Sequence, residues 1–180
     1  MKSPEATACR VLVDKVRGSV LPALTAAGFS ALDLPAESSP AWHLHRARVD
    51  GGYDVISIIF DKKHRPRFYG MINVISAKGL IDPWGKHTAA SQACAVSPSE
   101  RVLILKPRRG LLAMILPHWF GHGSFGFEPS GGSDHHLTEA TRVCAEFLQS
   151  LSQAESWWAD QKMGPNLISA KVVLVPKQNG

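Results

Sequence analysis

The fold of this chain is decided by two apolar runs, Tyr53-Asp54-Val55-Ile56-Ser57-Ile58-Ile59-Phe60 and Phe68-Tyr69-Gly70-Met71-Ile72-Asn73-Val74-Ile75. Both runs are rich in β-branched and aromatic residues, which favour strands. A short charged segment separates them, so we predict a hairpin. Because apolar side chains fall on both faces of each run, we expect this hairpin to lie inside a sheet that is covered on both sides.

Further strands extend this sheet in both directions. Residues 42–49 alternate as a half-buried strand, and Asp50-Gly51-Gly52 predicts a tight turn into the hairpin, which makes a three-stranded meander. Residues 101–106 read as a buried strand, and residues 167–175 as a last one. The apolar run 111–116 fits either a hairpin partner of 101–106 or a helix. The sequence therefore predicts an antiparallel sheet of about five strands.

Two helices complete the predicted architecture. The first begins at Pro4, with Pro22 expected to kink or divide it, Gly28 as its left-handed cap, and Phe29 turning back onto the core. The second begins at Ser133 or Asp134 and either continues or restarts through Trp157 and Trp158. Its apolar spacing predicts that one stripe is buried against the sheet, with the principal residues Leu137, Cys144, Phe147 and Leu148.

Length and composition indicate one α+β domain over residues 1–180, with an N-terminal helix, the sheet, and a long C-terminal helix packed on it. The chain is 44% hydrophobic, 19% charged and carries a net charge of +5. Residues 77–100 read as a long loop and residues 117–132 as a glycine- and aromatic-rich loop. The chain has neither a leader-like apolar start nor a run long enough to span a membrane, so we expect a cytoplasmic protein with three reduced cysteines.

Catalytic and metal-binding patterns are incomplete. His118 and His122 have the spacing of a zinc-protease helix, but Trp119 replaces the required glutamate, and glycines on both sides of His122 oppose a helix. Gly123-Ser124-Phe125-Gly126 lacks the spacing of a nucleophile elbow. We therefore expect no metal, no cofactor and no enzymatic activity. A hydrolase built on this histidine- and glycine-rich loop is the third alternative for the function.

Two sets of residues are candidates for binding. Basic side chains gather at two turns, where they would form a positive rim if both turns lay at one edge of the sheet. Such a rim suits nucleic acid or another anionic ligand, although charged turns also keep sheet edges unpaired. Aromatic residues of the two loops are candidate anchors for a protein partner. The basic set is Lys62, Lys63, Arg65, Arg67, Arg108 and Arg109, and the aromatic set is Trp84, Trp119, Phe120, Phe125 and Phe127.

The first part of the chain also resembles a known class of proteins. An N-terminal helix that ends in Leu-Pro-x-Leu-x-x-x-Gly-Phe (residues 21–29), followed by a meander whose first strand carries Trp42, is similar to small bacterial α+β domains that act as toxin-immunity proteins. The resemblance covers about the first 76 residues. It implies a non-catalytic protein that binds and blocks a cognate toxin. The basic rim departs from the acidic surface of a nuclease inhibitor, so such a toxin would be something other than a basic nuclease.

Overall fold

The computed structural model describes residues 4–32, 40–63, 65–81, 87–91, 102–107 and 124–170. Within these residues the strands are β1 Ser30–Ala31, β2 Ala41–Ala47, β3 Tyr53–Phe60, β4 Arg67–Ile75, β5 Leu80–Ile81, β6 His87–Thr88, β7 Val102–Leu105, β8 Phe125–Gly126 and β9 Leu167–Ala170. Seven of them form one antiparallel sheet in the order β1-β2-β3-β4-β7-β9, with β8 pairing with β4. A separate two-stranded sheet joins β5 to β6.

The predicted α+β class is confirmed, and the strand count is somewhat higher than the five expected. The five longer strands of the sheet, β2, β3, β4, β7 and β9, are those that the sequence predicted. The other two, β1 and β8, have two residues each and are too short to leave a periodic pattern. The segment predicted as a long loop contains the small β5–β6 hairpin. The run 111–116 lies outside the described residues, and β7 pairs with β4 and β9.

The central hairpin and the meander are formed as predicted. β3 pairs along its whole length with β4, and Ile58 lies opposite Gly70. Before the hairpin, the Gly52 carbonyl accepts the Arg48 N–H at 2.9 Å, and Gly51 takes a φ of +82°, which glycine adopts without steric cost. The sequence signal is strong here because turn residues and strand periodicity agree.

The N-terminal helical region is divided, as Pro22 predicted. Helix α1 (Pro4–Lys15) passes through one π-helical turn (Val16–Val20) into α2 (Leu21–Ala26). Proline has no N–H and its ring crowds the preceding turn, so a widened turn before it relieves the clash. Gly28 ends the region with a φ of +88°, and Phe29 then packs into the core at 2% exposure.

The C-terminal helix α3 runs unbroken over Ser133–Asp160, but its buried stripe differs from the predicted one. Leu137 is 54% exposed, so its predicted burial is wrong, and Leu148 is only half-buried. Cys144 and Phe147 are buried as expected. Both of its tryptophans are buried as well, and the indole N–H of Trp158 donates to the Asn73 carbonyl of β4 at 3.0 Å. Its buried residues are His136, Ala140, Val143, Cys144, Phe147, Ser150, Ala154, Trp157 and Trp158.

The core lies between the helices and one face of the sheet. Alternate residues of the central strands point toward α1 and α3, and they form one cluster with the helical stripes. Among the described residues, no helix combines the length and the apolar character that crossing a membrane requires. Cys9 of α1 and Cys144 of α3 are buried free thiols, and Cys94 lies outside the described residues. The main sheet-face residues of the cluster are Leu44, Ile56, Ile58, Phe60, Phe68, Ile72, Leu103 and Leu105.

Candidate functional site

The sheet face opposite the helices is only half covered by described residues. Near the start of β3, a second small cluster forms around Val55, Ile75 and Ala90, and Leu32 and Leu80 pack against it. Toward the other end of β3 and β4, apolar side chains on this face are half-buried, and Ile168 of β9 is 37% exposed. We call this half the open face. It is defined by Ile59, Tyr69, Met71, Ile104 and Ile168.

Strand register makes the open face continuous. Met71 lies opposite Ile104, and Ile104 lies opposite Ile168, so these three side chains form a row across β4, β7 and β9. Ile59 and Tyr69 are partners in the neighbouring row. Side chains that are opposite each other on one face of an antiparallel pair are in contact range. The five residues therefore form one contiguous apolar surface rather than scattered exposed side chains.

The first row continues onto β3 and β2 with polar side chains. Ser57 lies opposite Met71, and His43 lies opposite Ser57. The Nδ1 atom of His43 and the Oγ atom of Ser57 are 2.8 Å apart. A hydrogen-bonded pair of this kind gives the apolar surface a polar border on its β2 side.

The turn between β3 and β4 is organised by one buried carboxylate. Asp61 Oδ1 accepts the backbone N–H of Lys63 at 2.7 Å, and Oδ2 accepts from Arg65 at 2.7 Å and from Arg67 at 2.8 Å. Arg65 and Arg67, two of the predicted binding residues, therefore form ion pairs within the chain. Lys62 and Lys63 are exposed, and they form no ion pair among the described residues.

We call the turn between β3 and β4, which carries Lys62, Lys63 and Arg65, the basic turn. It lies at the same end of the sheet as the last residue of β7. Gly70 is paired with Leu105, so Lys106 and Pro107 continue toward the start of β4. The first residue of the second basic set, Lys106, is therefore at the same edge as the first turn, whereas Arg108 and Arg109 lie outside the described residues. Arg67 projects on the open-face side, opposite Gly126 of β8. Basic side chains thus border the open face at this end.

The predicted aromatic anchors have different positions. Phe125 is 1% exposed and stacks on Phe68 with a centroid distance of 5.5 Å, so it is a core residue and cannot contact a partner. Phe127 is half-buried beside His136. The remaining three, Trp84, Trp119 and Phe120, lie outside the described residues.

An ionic network on the helix side of the sheet was not predicted. Asp54 is buried on β3, and its carboxylate accepts from Arg46 at 2.8 Å and from Arg48 at 2.9 Å. Arg46 also forms two hydrogen bonds with Glu155 of α3, and its guanidinium lies 4.6 Å from the centre of the Phe29 ring. A shallow cleft of about 380 Å³ opens beside these groups.

The charges of this network are mutually satisfied. The hydrogen bond to Glu155 raises the pKa of Arg46, and the hydrogen bond to Asp54 raises the pKa of Arg48. Both shifts favour the charged guanidinium. Arg48 also donates to the Trp158 carbonyl at 3.0 Å. The network therefore links β2 and β3 to the end of α3, and each charged group in it is paired with an opposite charge.

Metal and nucleophile candidates do not converge in the described residues. No group of three or more histidine, cysteine or acidic side chains is placed to hold a metal ion there. His118 and His122 lie outside that part of the chain, and His135 is exposed. His136 is buried, and neither of its ring nitrogens has a hydrogen-bond partner among the described residues. Burial raises the pKa of the Cys144 thiol to about 11, so this cysteine is a poor nucleophile near neutral pH.

Comparisons with known proteins identified no relative of this chain. No protein-family model, no curated protein and no solved structure matches this chain.

Proposed function

We propose that this chain is a non-catalytic protein-binding domain that contacts its partner through the open face. The observation that supports the proposal is the contiguous set of partly accessible apolar side chains on the sheet face opposite the helices. Single exposed apolar residues are ordinary on protein surfaces, whereas a contiguous apolar patch with a polar border is typical of interaction sites.

Two residues are the best candidates for energetic anchors within this patch. Tyr69 and Met71 lie on the central strand β4, with further strands on both sides. Binding energy is usually concentrated in a few central side chains, and tyrosine and methionine are enriched in interface cores. Trp84, Trp119 and Phe120 remain predicted anchors from sequence, outside the described residues.

The identity of the partner is suggested by the resemblance of residues 21–29 and the following strands to toxin-immunity proteins. Under this proposal the partner is a toxin, and binding blocks it without any reaction. The basic turn argues against a basic nuclease as that toxin, because like charges would face each other.

Site-specific photo-crosslinking tests the proposal. A benzoylphenylalanine at position 69 should capture one partner from the source cells, and unlabelled chain should compete with the capture. The same group at position 137 is the matched control, because Leu137 is an exposed apolar residue on the helix side. Met71→Asp in the competitor should abolish competition, whereas Leu137→Asp should not. Equal adducts at both positions, or none at position 69, would rule the proposal out.

The alternative function is nucleic-acid or anionic-ligand binding, which the two exposed lysines of the basic turn favour. Phosphate contacts release counterions, so affinity for DNA or RNA would fall by orders of magnitude between about 50 and 200 mM salt. Tight, salt-sensitive binding to random oligonucleotides that disappears in the Lys62→Glu, Lys63→Glu variant would replace our proposal with this one.

A further inference from the structure

We infer that the partner presents to the open face an amphipathic segment with an apolar stripe and flanking carboxylates. This inference rests on the proposed function, and it names the chemistry of the partner. It follows from the position of the charges around the open face rather than from the apolar surface alone.

Basic side chains dominate the end of the sheet that borders the open face. Of the carboxylates near this end, Asp61 is buried and paired with two arginines, Glu128 is exposed after β8, and Asp134 lies in the first turn of α3, on the opposite side of the sheet. Five basic side chains lie at the same end. They are Lys62, Lys63, Arg65, Arg67 and Lys106.

The distance between the apolar and basic groups suits one bound segment. Ile59 precedes Asp61 by two residues and Tyr69 follows Arg67 by two residues. At about 3.4 Å per residue, the Ile59–Tyr69 pair is separated from the ends of the turn by roughly 7 Å. A helix with side chains is about 10–12 Å wide, so a helix packed on Tyr69 and Met71 would hold its flanking side chains within reach of Lys62 and Lys63.

Other occupants fit less well. A second copy of this chain would add another net charge of +5 and would bring a second basic turn to the interface. Nucleic acid requires cations along the bound surface, but Arg65 and Arg67 are held by Asp61, and the centre of the face is mainly aliphatic. An acidic amphipathic segment satisfies both the apolar centre and the basic border.

Two labelled peptides test the inference. Both are 15-residue helical sequences with the same leucine stripe, and one has glutamate where the other has lysine on the flanks. We expect the glutamate peptide to bind at least tenfold more tightly in fluorescence anisotropy at about 50 mM salt. Met71→Asp should abolish its binding, which would locate it on the open face.

Charge reversal at Lys62 and Lys63 measures how much the basic side chains beside the open face contribute to peptide binding. In Lys62→Glu, Lys63→Glu, we expect association of the glutamate peptide to slow about tenfold and its affinity to fall by no more than about tenfold, because border charges act mainly on the association rate. The matched control is Lys78→Glu, Lys162→Glu, in which exposed lysines outside this border are reversed, and it should leave the rate unchanged.

The outcomes distinguish the inference from the proposed function. Equal binding of both peptides, or an unchanged rate after reversal at Lys62 and Lys63, overturns the inference while a specific crosslink at position 69 still supports partner binding. A dimer in analytical ultracentrifugation that Met71→Asp dissociates overturns it in favour of a second copy. Salt-sensitive oligonucleotide binding at the same lysines overturns it in favour of nucleic acid.

Discussion

Phe147 of α3 packs directly over Gly70 of β4, so closely that a Cβ atom on residue 70 would lie 2.5 Å from Cε2 of the phenylalanine ring. The glycine occupies the middle of the most central strand pair, opposite Ile58. Because residue 70 lacks a side chain, the Phe147 ring can approach the strand closely at this point.

Gly70→Ala should therefore destabilise the protein by about 1–3 kcal/mol, because the added methyl group overpacks the core. Urea unfolding followed by circular dichroism measures this loss. Gly18→Ala is the matched control, since a Cβ there meets no atom within 4 Å. In the double variant with Phe147→Leu, the cost of Gly70→Ala should be smaller, and strict additivity would contradict the contact.

Phe147→Ala should cost about 3–5 kcal/mol, because the ring is fully buried and its removal leaves a cavity. The comparison is with Leu137→Ala on the exposed side of the same helix, which should change the free energy of unfolding by no more than about 0.5 kcal/mol. If the two variants lost equal stability, the orientation of α3 would be wrong.

Asp54→Asn should destabilise the protein by about 2–4 kcal/mol in the same unfolding experiment. The buried carboxylate accepts from both Arg46 and Arg48, and an amide removes the charge that they share. Arg46 then keeps only the exposed Glu155, and Arg48 only the exposed Asp50, as an ion-pair partner among the described residues. Asp50→Asn serves as the control, because Asp50 is exposed and pairs only with Arg48 among the ion pairs of the described residues. Comparable losses in the two variants would show that burial of Asp54 does not matter.

His136→Leu should leave the protein equally stable or stabilise it by about 1 kcal/mol. Both ring nitrogens of His136 are buried without a hydrogen-bond partner in the described part of the chain, and leucine removes the desolvated polar atoms at similar volume. His135→Leu, on the exposed side, should have little effect. A marked loss of stability in His136→Leu would reveal a polar contact of the imidazole.

The free energy of unfolding should fall as the pH rises from about 8.5 to about 11. Burial raises the pKa of Cys144 to about 11 in the folded protein, whereas an unfolded thiol ionises near 8.5. Below both values the thiol is neutral in either state. Between them only the unfolded chain loses the proton, so stability decreases with a slope of at most about 1.4 kcal/mol per pH unit from this group.

Urea unfolding at several pH values measures the slope, and Cys144→Ala should flatten it. The pKa of Cys9 is also raised, first by burial and then by the charge of Asp61, so Cys9→Ala should flatten the slope separately. An identical slope in wild type and in Cys144→Ala would mean that the thiol is already ionised or exposed in the folded state.

Local sequence determined most of the secondary structure. The two β-rich runs, the Asp50-Gly51-Gly52 turn, the division at Pro22 and the cap at Gly28 were all predictable, because each depends on neighbouring residues. The same holds for the α+β class, since strand and helix periodicities are local signals.

Only the tertiary structure decided which side chains meet across the chain. In α3, His136 is buried and Leu137 is exposed. Packing against the rest of the protein fixes this orientation, which the spacing of apolar residues in the helix did not predict. The tertiary structure also placed Phe125 in the core and held Arg65 and Arg67 at Asp61. The open face was hidden from sequence for the same reason: Met71, Ile104 and Ile168 become one surface only through strand register, which pairs residues far apart in the chain.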